Sequence, residues 1–152
     1  MSKPRDATKR DLVDNRKARW GFEIDDRFEA GIALVGSEVK ALRSGTAHLA
    51  DAWVRIATDG AWLMQAHIDP YKEANRWNHE PTRPRRLLLH RHEISKLRKA
   101  TAERGSTVIP LRIYLVGSIV KVEIGVGKGR KTHDKRAVLK ERDAKRDIRE
   151  QQ

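Results

Sequence analysis

The sequence predicts a mainly β fold: a small closed antiparallel barrel with two or three short helices, followed by a basic C-terminal tail that is disordered when free. Three observations carry this. At least five segments between about residues 22 and 127 carry antiparallel strand signatures, and two pairs of these segments are joined by Asp59-Gly60 and Gly117-Ser118 as hairpins. Helical spacing is confined to two short segments. An antiparallel sheet of this size exposes two edges unless it closes, and closure removes them.

Residues 1–14 carry Pro4 and alternating charges with almost no apolar content, the composition of a mobile arm. From Phe22 the pattern changes. Residues 28–35 are rich in β-formers, and Gly31 within them suggests a bulge or a close backbone approach. Residues 38–44 read as a short helix capped by Ser37 and stopped by Gly45, with Val39 and Leu42 as its apolar edge. In the hairpin over residues 51–68, Ala52, Val54 and Ile56 alternate with Trp53, Arg55 and Ala57, and Asp59-Gly60 is a loop of type I′ character. Trp53 and Trp62 are expected in the core. Asp69-Pro70-Tyr71 ends the return strand, and the stretch through Asn75, Asn78, His79, Pro81 and Pro84 has loop composition.

Residues 86–90 read as a short buried strand feeding a helix from about Glu93 to Arg104, with Ile94, Leu97 and Ala100 inward and Gly105 as cap. Residues 108–116 and 119–126 form the second hairpin, Pro110 arguing for an edge or a bulge. Val120, Val122, Ile124 and Val126 share the buried face, opposite Lys121 and Glu123. The glycines after Val126 suggest strand exit and hinge freedom. The charged remainder has helix formers, such as the row Lys140, Ala144 and Ile148, but too thin an apolar stripe to fold without a partner. The expected divisions are an arm over residues 1–14, a β-barrel domain of oligonucleotide-binding type over 15–127 and a tail over 128–152.

Charge adds a partner class. The formal net charge is +12, from 33 Lys and Arg against 21 Asp and Glu. Residues 1–19 carry +4, residues 83–104 carry +6 and residues 128–150 carry +5, whereas residues 20–82 carry −4. Basic segments separated by an acidic middle are the footprint of a polyanion binder. None of the three is a basic helix with an aromatic or leucine-rich opposite face, so a membrane surface is the weaker candidate. No apolar run reaches the roughly 18 residues of a membrane span, and the first residues lack a signal-peptide pattern, so a soluble, unexported protein is expected. The absence of Cys excludes disulfides, thiolate metal sites and a Cys nucleophile.

Candidate chemistry is sparse. His90, His92 and Glu93 invite a metal site, since i and i+2 on a strand point the same way, but no third and fourth ligand lies at a suggestive distance. His67 and Asp69 could pair on one strand face without a nucleophile to activate. The glycines around Lys128 lack the spacing of a phosphate-binding loop. RNA recognition explains more: Arg16, Lys17 and Arg19 stand beside Trp20 and Phe22, Arg76 beside Trp77, and Arg83, Arg85 and Arg86 at a strand start. Guanidinium groups pair with phosphates and aromatic rings stack on unpaired bases, a role that suits Trp20 and Trp77.

Asn15-Arg16-Lys17-Ala18, the run Phe28-Glu29-Ala30-Gly31-Ile32, the segment Gly36-Ser37-Glu38-Val39-Lys40-Ala41-Leu42-Arg43, the segment Pro81-Thr82-Arg83-Pro84-Arg85-Arg86-Leu87-Leu88-Leu89-His90 and the tail from Gly127 through Arg136 to Asp143 follow one another in order. Together they resemble the SmpB, or SsrA-binding protein, family from about Asn15 to Arg149. The resemblance implies a bacterial, cytoplasmic, non-enzymatic RNA-binding protein without cofactors. Its RNA is transfer-messenger RNA (tmRNA), whose tRNA-like domain the barrel holds, and the pair rescues stalled ribosomes by trans-translation. Elongation factor Tu delivers the charged complex, and the tail enters the vacant mRNA channel and becomes helical there.

With the basic and aromatic residues already noted, the resemblance assigns Asn15, Arg16, Lys17, Arg19, Trp20, Glu29, Lys40, Arg83, Arg85, Arg86, Leu87 and Leu89 to tmRNA. It assigns Lys128, Arg130, Lys131, His133, Asp134, Lys135, Arg136, Lys140 and Arg142 to the ribosome. Trp20, Glu23, Asp69 and Arg86 depart from the residues common at these places. Two other readings remain open: a barrel-type RNA-binding protein of the ribosome or of initiation, and a metal-dependent nuclease using His90, His92 and Glu93.

Overall fold

The computed structural model describes residues 9–130. The expectations for residues 1–8 and 131–152 lie outside the described residues. Strands outnumber helices in the described residues, and the fold is mainly β. β1 (Lys9–Asp14) leads through α1 (Arg16–Gly21) into the long β2 (Phe22–Ile32), which is followed by α2 (Gly36–Arg43) and the two-residue β3 (Ala47–His48). The hairpin β4 (Trp53–Ala57) and β5 (Gly60–Met64), the short β6 (His67–Ile68) and a 3₁₀ helix at Lys72–Trp77 come next. β7 (Arg85–Leu88), α3 (Arg91–Ala102), β8 (Ser106–Val116) and β9 (Ile119–Gly129) complete the described chain.

Seven strands form one antiparallel sheet in the order β1-β8-β9-β2-β7-β5-β4, and β3 pairs with β6. β4 approaches β8, and α3 lies against both. Among the described residues no ladder joins β4 to β1. The core between these elements includes Leu42, Leu63, Ile68, Leu97, Ile113 and Ile124, each with at most 1% exposure. A smaller cluster of Ala18, Ile109 and Leu111, with Phe22 and Ile24 beside it, packs under α1.

One bulge lets β8 serve both clusters. The β8–β9 register shifts between Pro110 and Arg112, so that Leu111 has no partner on β9. Because side chains alternate, an extra residue inverts their parity. Val108 before the bulge and Ile113 and Leu115 after it therefore face the main core, while Ile109 and Leu111 face α1. A second bulge in β2, between Ile24 and Asp26, does the same for Ile24. The fully buried row of Val120, Val122, Ile124 and Val126 and the turn at Gly117-Ser118 agree with the sequence pattern.

Several local expectations change. Lys9–Asp14 is not arm but edge strand, because Val13 buries itself in the core and the backbone pairs with β8. The β4–β5 loop is Thr58-Asp59, with Gly60 already paired to Ala57. Pairing Val54 with Leu63 and Ile56 with Ala61 decides that register, and no non-glycine residue there takes a positive φ, so the turn is not type I′. Trp53 lies on the outward face beside Arg55 and is 41% exposed, and Trp62 is half-buried with the Arg86 guanidinium 5.7 Å from its ring. Alternation that buries Ala52 and Val54 leaves Trp53 no place inside. α2 begins at Gly36 rather than after Ser37, since Glu38 Oε1 accepts from the Val35 amide at 2.9 Å. α3 starts at Arg91, two residues earlier than its apolar spacing suggests, through the same device between Glu93 and the His90 amide. The glycine at 127 serves packing rather than hinge freedom: a Cβ there would lie 2.2 Å from the Glu23 carbonyl oxygen.

Candidate nucleic-acid interface

β2 and β7 pair through Gly31 and Leu88, and β2 and β9 through Gly31 and Lys121. Alternation then decides which side chains share the outer surface. On β7, Arg85 and Leu87 point inward at 0% and 2% exposure, whereas Arg86 and Leu88 point outward, Leu88 at 56%. Glu29, Leu88, Leu89, His90 and Lys121 line a cleft of about 510 Å³. Glu29 Oε2 accepts a hydrogen bond from the Tyr114 hydroxyl, and Oε1 is left without a partner among the described residues. Burial and the Glu29 carboxylate push the Tyr114 phenol up, so it stays a donor at neutral pH. Arg112 covers the Tyr114 ring at 4.4 Å and bridges Asp11 at 2.7 Å to Glu123 at 3.6 Å. The result is an apolar Leu88 contact beside a held carboxylate and an ammonium. These groups suit a splayed base, its polar edge and a phosphate.

Beneath this surface, Glu38 is wholly buried and accepts from both Arg83 and Arg85. Arg85, also wholly buried, donates in addition to the carbonyls of Ala66 at 2.7 Å and Pro81 at 3.0 Å. Burial pushes the Glu38 carboxyl up, but hydrogen bonds from Arg83, the Val35 amide and Arg85 outweigh it and hold the group below its ordinary value. Arg85 is lowered by burial, against the pull of Glu38. A guanidinium remains charged under such a shift. Arg85 therefore fastens the start of β7 to α2 and offers no surface to a phosphate, contrary to the expectation from sequence. Leu87 is likewise a core residue.

The α1 end presents a different surface. Asn15 is 4% exposed. Its Oδ1 accepts from the Ala18 amide at 3.3 Å and its Nδ2 donates to the Pro110 carbonyl at 2.8 Å. It caps α1 and ties it to the β8 bulge. Arg19 and Arg16 lie 2.6 Å and 3.8 Å from Asp14, while Lys17 is exposed and pairs with no carboxylate among the described residues. Lys17, Trp20 and Phe22 line a cleft of about 370 Å³ that Gly129 borders, and the Arg130 amide donates to the Gly21 carbonyl at 2.8 Å. The end of β9 and Arg130 thus lie beside α1.

Of the residues singled out in the sequence, Glu29, Leu89 and Arg86 fall in or beside the β2–β7 cleft. Lys40 stands apart, its Nζ 5.6 Å from the Tyr71 ring. Lys128 belongs to β9 and pairs with Glu103 at 2.7 Å. Lys131, His133, Asp134, Lys135, Arg136, Lys140 and Arg142 lie outside the described residues, as do the side chains of Arg76 and Trp77. His92 is helical rather than on a strand and stacks on His90 with ring centres 5.5 Å apart, so the strand geometry behind the metal reading does not occur. His67 Nε2 and Asp69 Oδ1 do pair, at 2.6 Å. The sequence places Leu88 within the Leu87-Leu88-Leu89 strand implied for the RNA surface without marking it as the outward residue, and it does not single out Lys121 and Tyr114. Period-two alternation from the inward Leu87 identifies Leu88; Tyr114 required knowing that β8 and β2 flank β9.

The family model described as SmpB protein matches residues 12–152. The SsrA-binding protein of Methylobacterium nodulans is 52% identical over 148 residues, covering 97% of this chain and 94% of the relative. That of Lactobacillus acidophilus is 50% identical over 138 residues, covering 91% of each. A solved chain described as "tmRNA-SmpB: a journey to the center of the bacterial ribosome" superposes with a TM-score of 0.67 at 38% identity, over 78% of this chain and 84% of that one. With the match running from β1 to the last residue, the chain belongs to the SmpB family.

Proposed function

We propose that this protein binds the tRNA-like domain of tmRNA and takes it to stalled ribosomes for trans-translation. The observation that carries the reading is the β2–β7 cleft, where a carboxylate held by Tyr114 lies beside the outward Leu88. Folded RNA is read through shape, phosphates, 2′-hydroxyls and splayed bases, and a carboxylate oxygen with no internal partner accepts from a base edge or a 2′-hydroxyl. The family's name, SsrA-binding protein, and its solved ribosome complex support tmRNA and the ribosome as partners. We infer a curled sheet of oligonucleotide-binding barrel type, supported by the approach of β4 to β8. The tail beyond β9 enters the empty mRNA channel and becomes helical there, elongation factor Tu acts indirectly through charged tmRNA, and the protein works in the cytoplasm without catalysis of its own.

The test is the RNA that copurifies at a salt concentration high enough to strip non-specific partners. Enrichment of one structured RNA with a tRNA-like end is expected, and bulk RNA without it refutes the proposal. A chain ending at Arg130 keeps tmRNA binding and loses tagging of stalled peptides; tagging by that chain refutes the role given to the tail.

A further inference from the structure

The most basic stretch of the chain, residues 83–104, has 8 cations and 2 carboxylates. Glu38 pairs with Arg83 and Arg85 from below and offsets one of their two charges. Both carboxylates of the stretch are occupied as well: Glu93 accepts from the His90 amide at 3.0 Å, and Glu103 holds Lys128. Of the other six cations, four stand on α3: Arg91, Lys96, Arg98 and Lys99. At about 100° per residue, Ile94, Leu97 and Ala100 turn inward, and Arg98, Arg91, Ser95, Lys99, His92 and Lys96 follow one another round the outer face. All six are exposed. Among the described residues none of the four Arg and Lys side chains pairs with a carboxylate.

Helix stability does not account for this face. A solvated helix gains from alternating signs at i,i+4, and its first turn favours anions, yet Arg91 is the first helical residue. The face is complementary to a polyanion instead. Its place in the fold says which one. Arg91, Ser95 and Arg98 line a cleft of about 410 Å³ with Thr58 and Asp59 of the β4–β5 loop, and the Asp59 carbonyl accepts from Arg86 Nη2 at 3.1 Å. Arg86 and Leu88 are outward neighbours on β7, and Leu88, His90 and Glu93 line the candidate RNA cleft. The cationic row thus begins where that cleft ends.

We propose that the outer face of α3 is a second contact for the same tRNA-like RNA, gripping the phosphate backbone of the duplex that leads away from the β2–β7 cleft. The inference rests on the reading that this cleft holds that RNA. Arg91 and Arg98 stand about 10 Å apart along the helix axis, with Lys96 and Lys99 on the same outer face, a span that reaches neighbouring phosphates of a duplex. Phosphate contacts of this kind fix orientation and carry no base specificity.

The test is titration of the isolated tRNA-like RNA with the full chain across a fourfold range of salt. The variants are Arg91→Gln/Lys96→Gln/Arg98→Gln/Lys99→Gln and the charge-preserving Arg91→Lys/Arg98→Lys. Loss of three phosphate contacts lowers the slope of log K against log salt by about 2.7, so the fourfold rise costs the glutamine variant about 40-fold less affinity than the wild type. The lysine variant keeps the wild-type slope, and both variants unfold at the wild-type temperature. A wild-type slope in the glutamine variant overturns the inference and leaves the proposed function standing. So does unchanged RNA binding with weakened ribosome binding, which would assign the face to the ribosome. A wild-type chain that binds generic tRNA as well as the tRNA-like RNA refutes the proposed function and the inference with it.

Discussion

Glu38→Gln removes the only carboxylate paired with Arg85 among the described residues, and the Arg85 side chain has no access to water. Glutamine keeps the shape of the carboxylate but turns an amide toward guanidinium N–H groups, so donor meets donor. Removing one partner of a buried ion pair costs about 3–5 kcal/mol, because the other charge stays buried and unpaired. For a domain of this size that is a fall of about 10–20 °C in Tm. Urea denaturation followed by circular dichroism measures the change, with the m-value serving as a check on two-state behaviour. The pH dependence supplies a sign. Unfolded Glu38 takes its proton near the ordinary value of 4.5, and folded Glu38 takes it only at lower pH. Its contribution is therefore complete above 4.5 and is lost as pH falls through the folded value. The gap between wild type and variant should be constant from pH 7 to about 5 and narrow below 4.5. Replacing both partners, Glu38→Met with Arg85→Met, should recover part of the loss, the remainder reflecting the orphaned Ala66 and Pro81 carbonyls. A gap under about 1 kcal/mol, or one that persists undiminished at pH 3, would refute the reasoning.

Other substitutions separate structure from recognition. Asn15→Ala deletes the α1 cap and the bond to the Pro110 carbonyl, and should cost about 2–3 kcal/mol in thermal or urea unfolding while the folded fraction binds RNA normally; unchanged stability with lost affinity would make Asn15 an RNA contact instead. Gly127→Ala drives a Cβ into the Glu23 carbonyl, and since backbone must yield, a loss of about 3 kcal/mol or more is expected by urea denaturation. Leu88→Ala removes an exposed side chain, so stability should change by no more than about 0.5 kcal/mol while affinity for the tRNA-like RNA falls about 10-fold. Equal affinity, read by filter binding at fixed salt, would move the contact away from the β2–β7 cleft.

Local chemistry alone made the two hairpins, the buried row of β9, the Gly117-Ser118 turn and the basic segments legible, because alternation, turn residues and charge act over a few positions. Lys9–Asp14 was illegible because an edge strand of charged residues is stabilised by its neighbour β8, 100 positions away in sequence. The arginines show the same divide. Arg83, Arg85 and Arg86 look alike in sequence, but Arg86 faces solvent while Arg83 and Arg85 clasp Glu38. Sequence set the number and the sign of these charges. Which of them face solvent and which fasten the sheet was decided by strand alternation and by a carboxylate 45 positions upstream, and a buried guanidinium persists only where tertiary structure brings it such a partner.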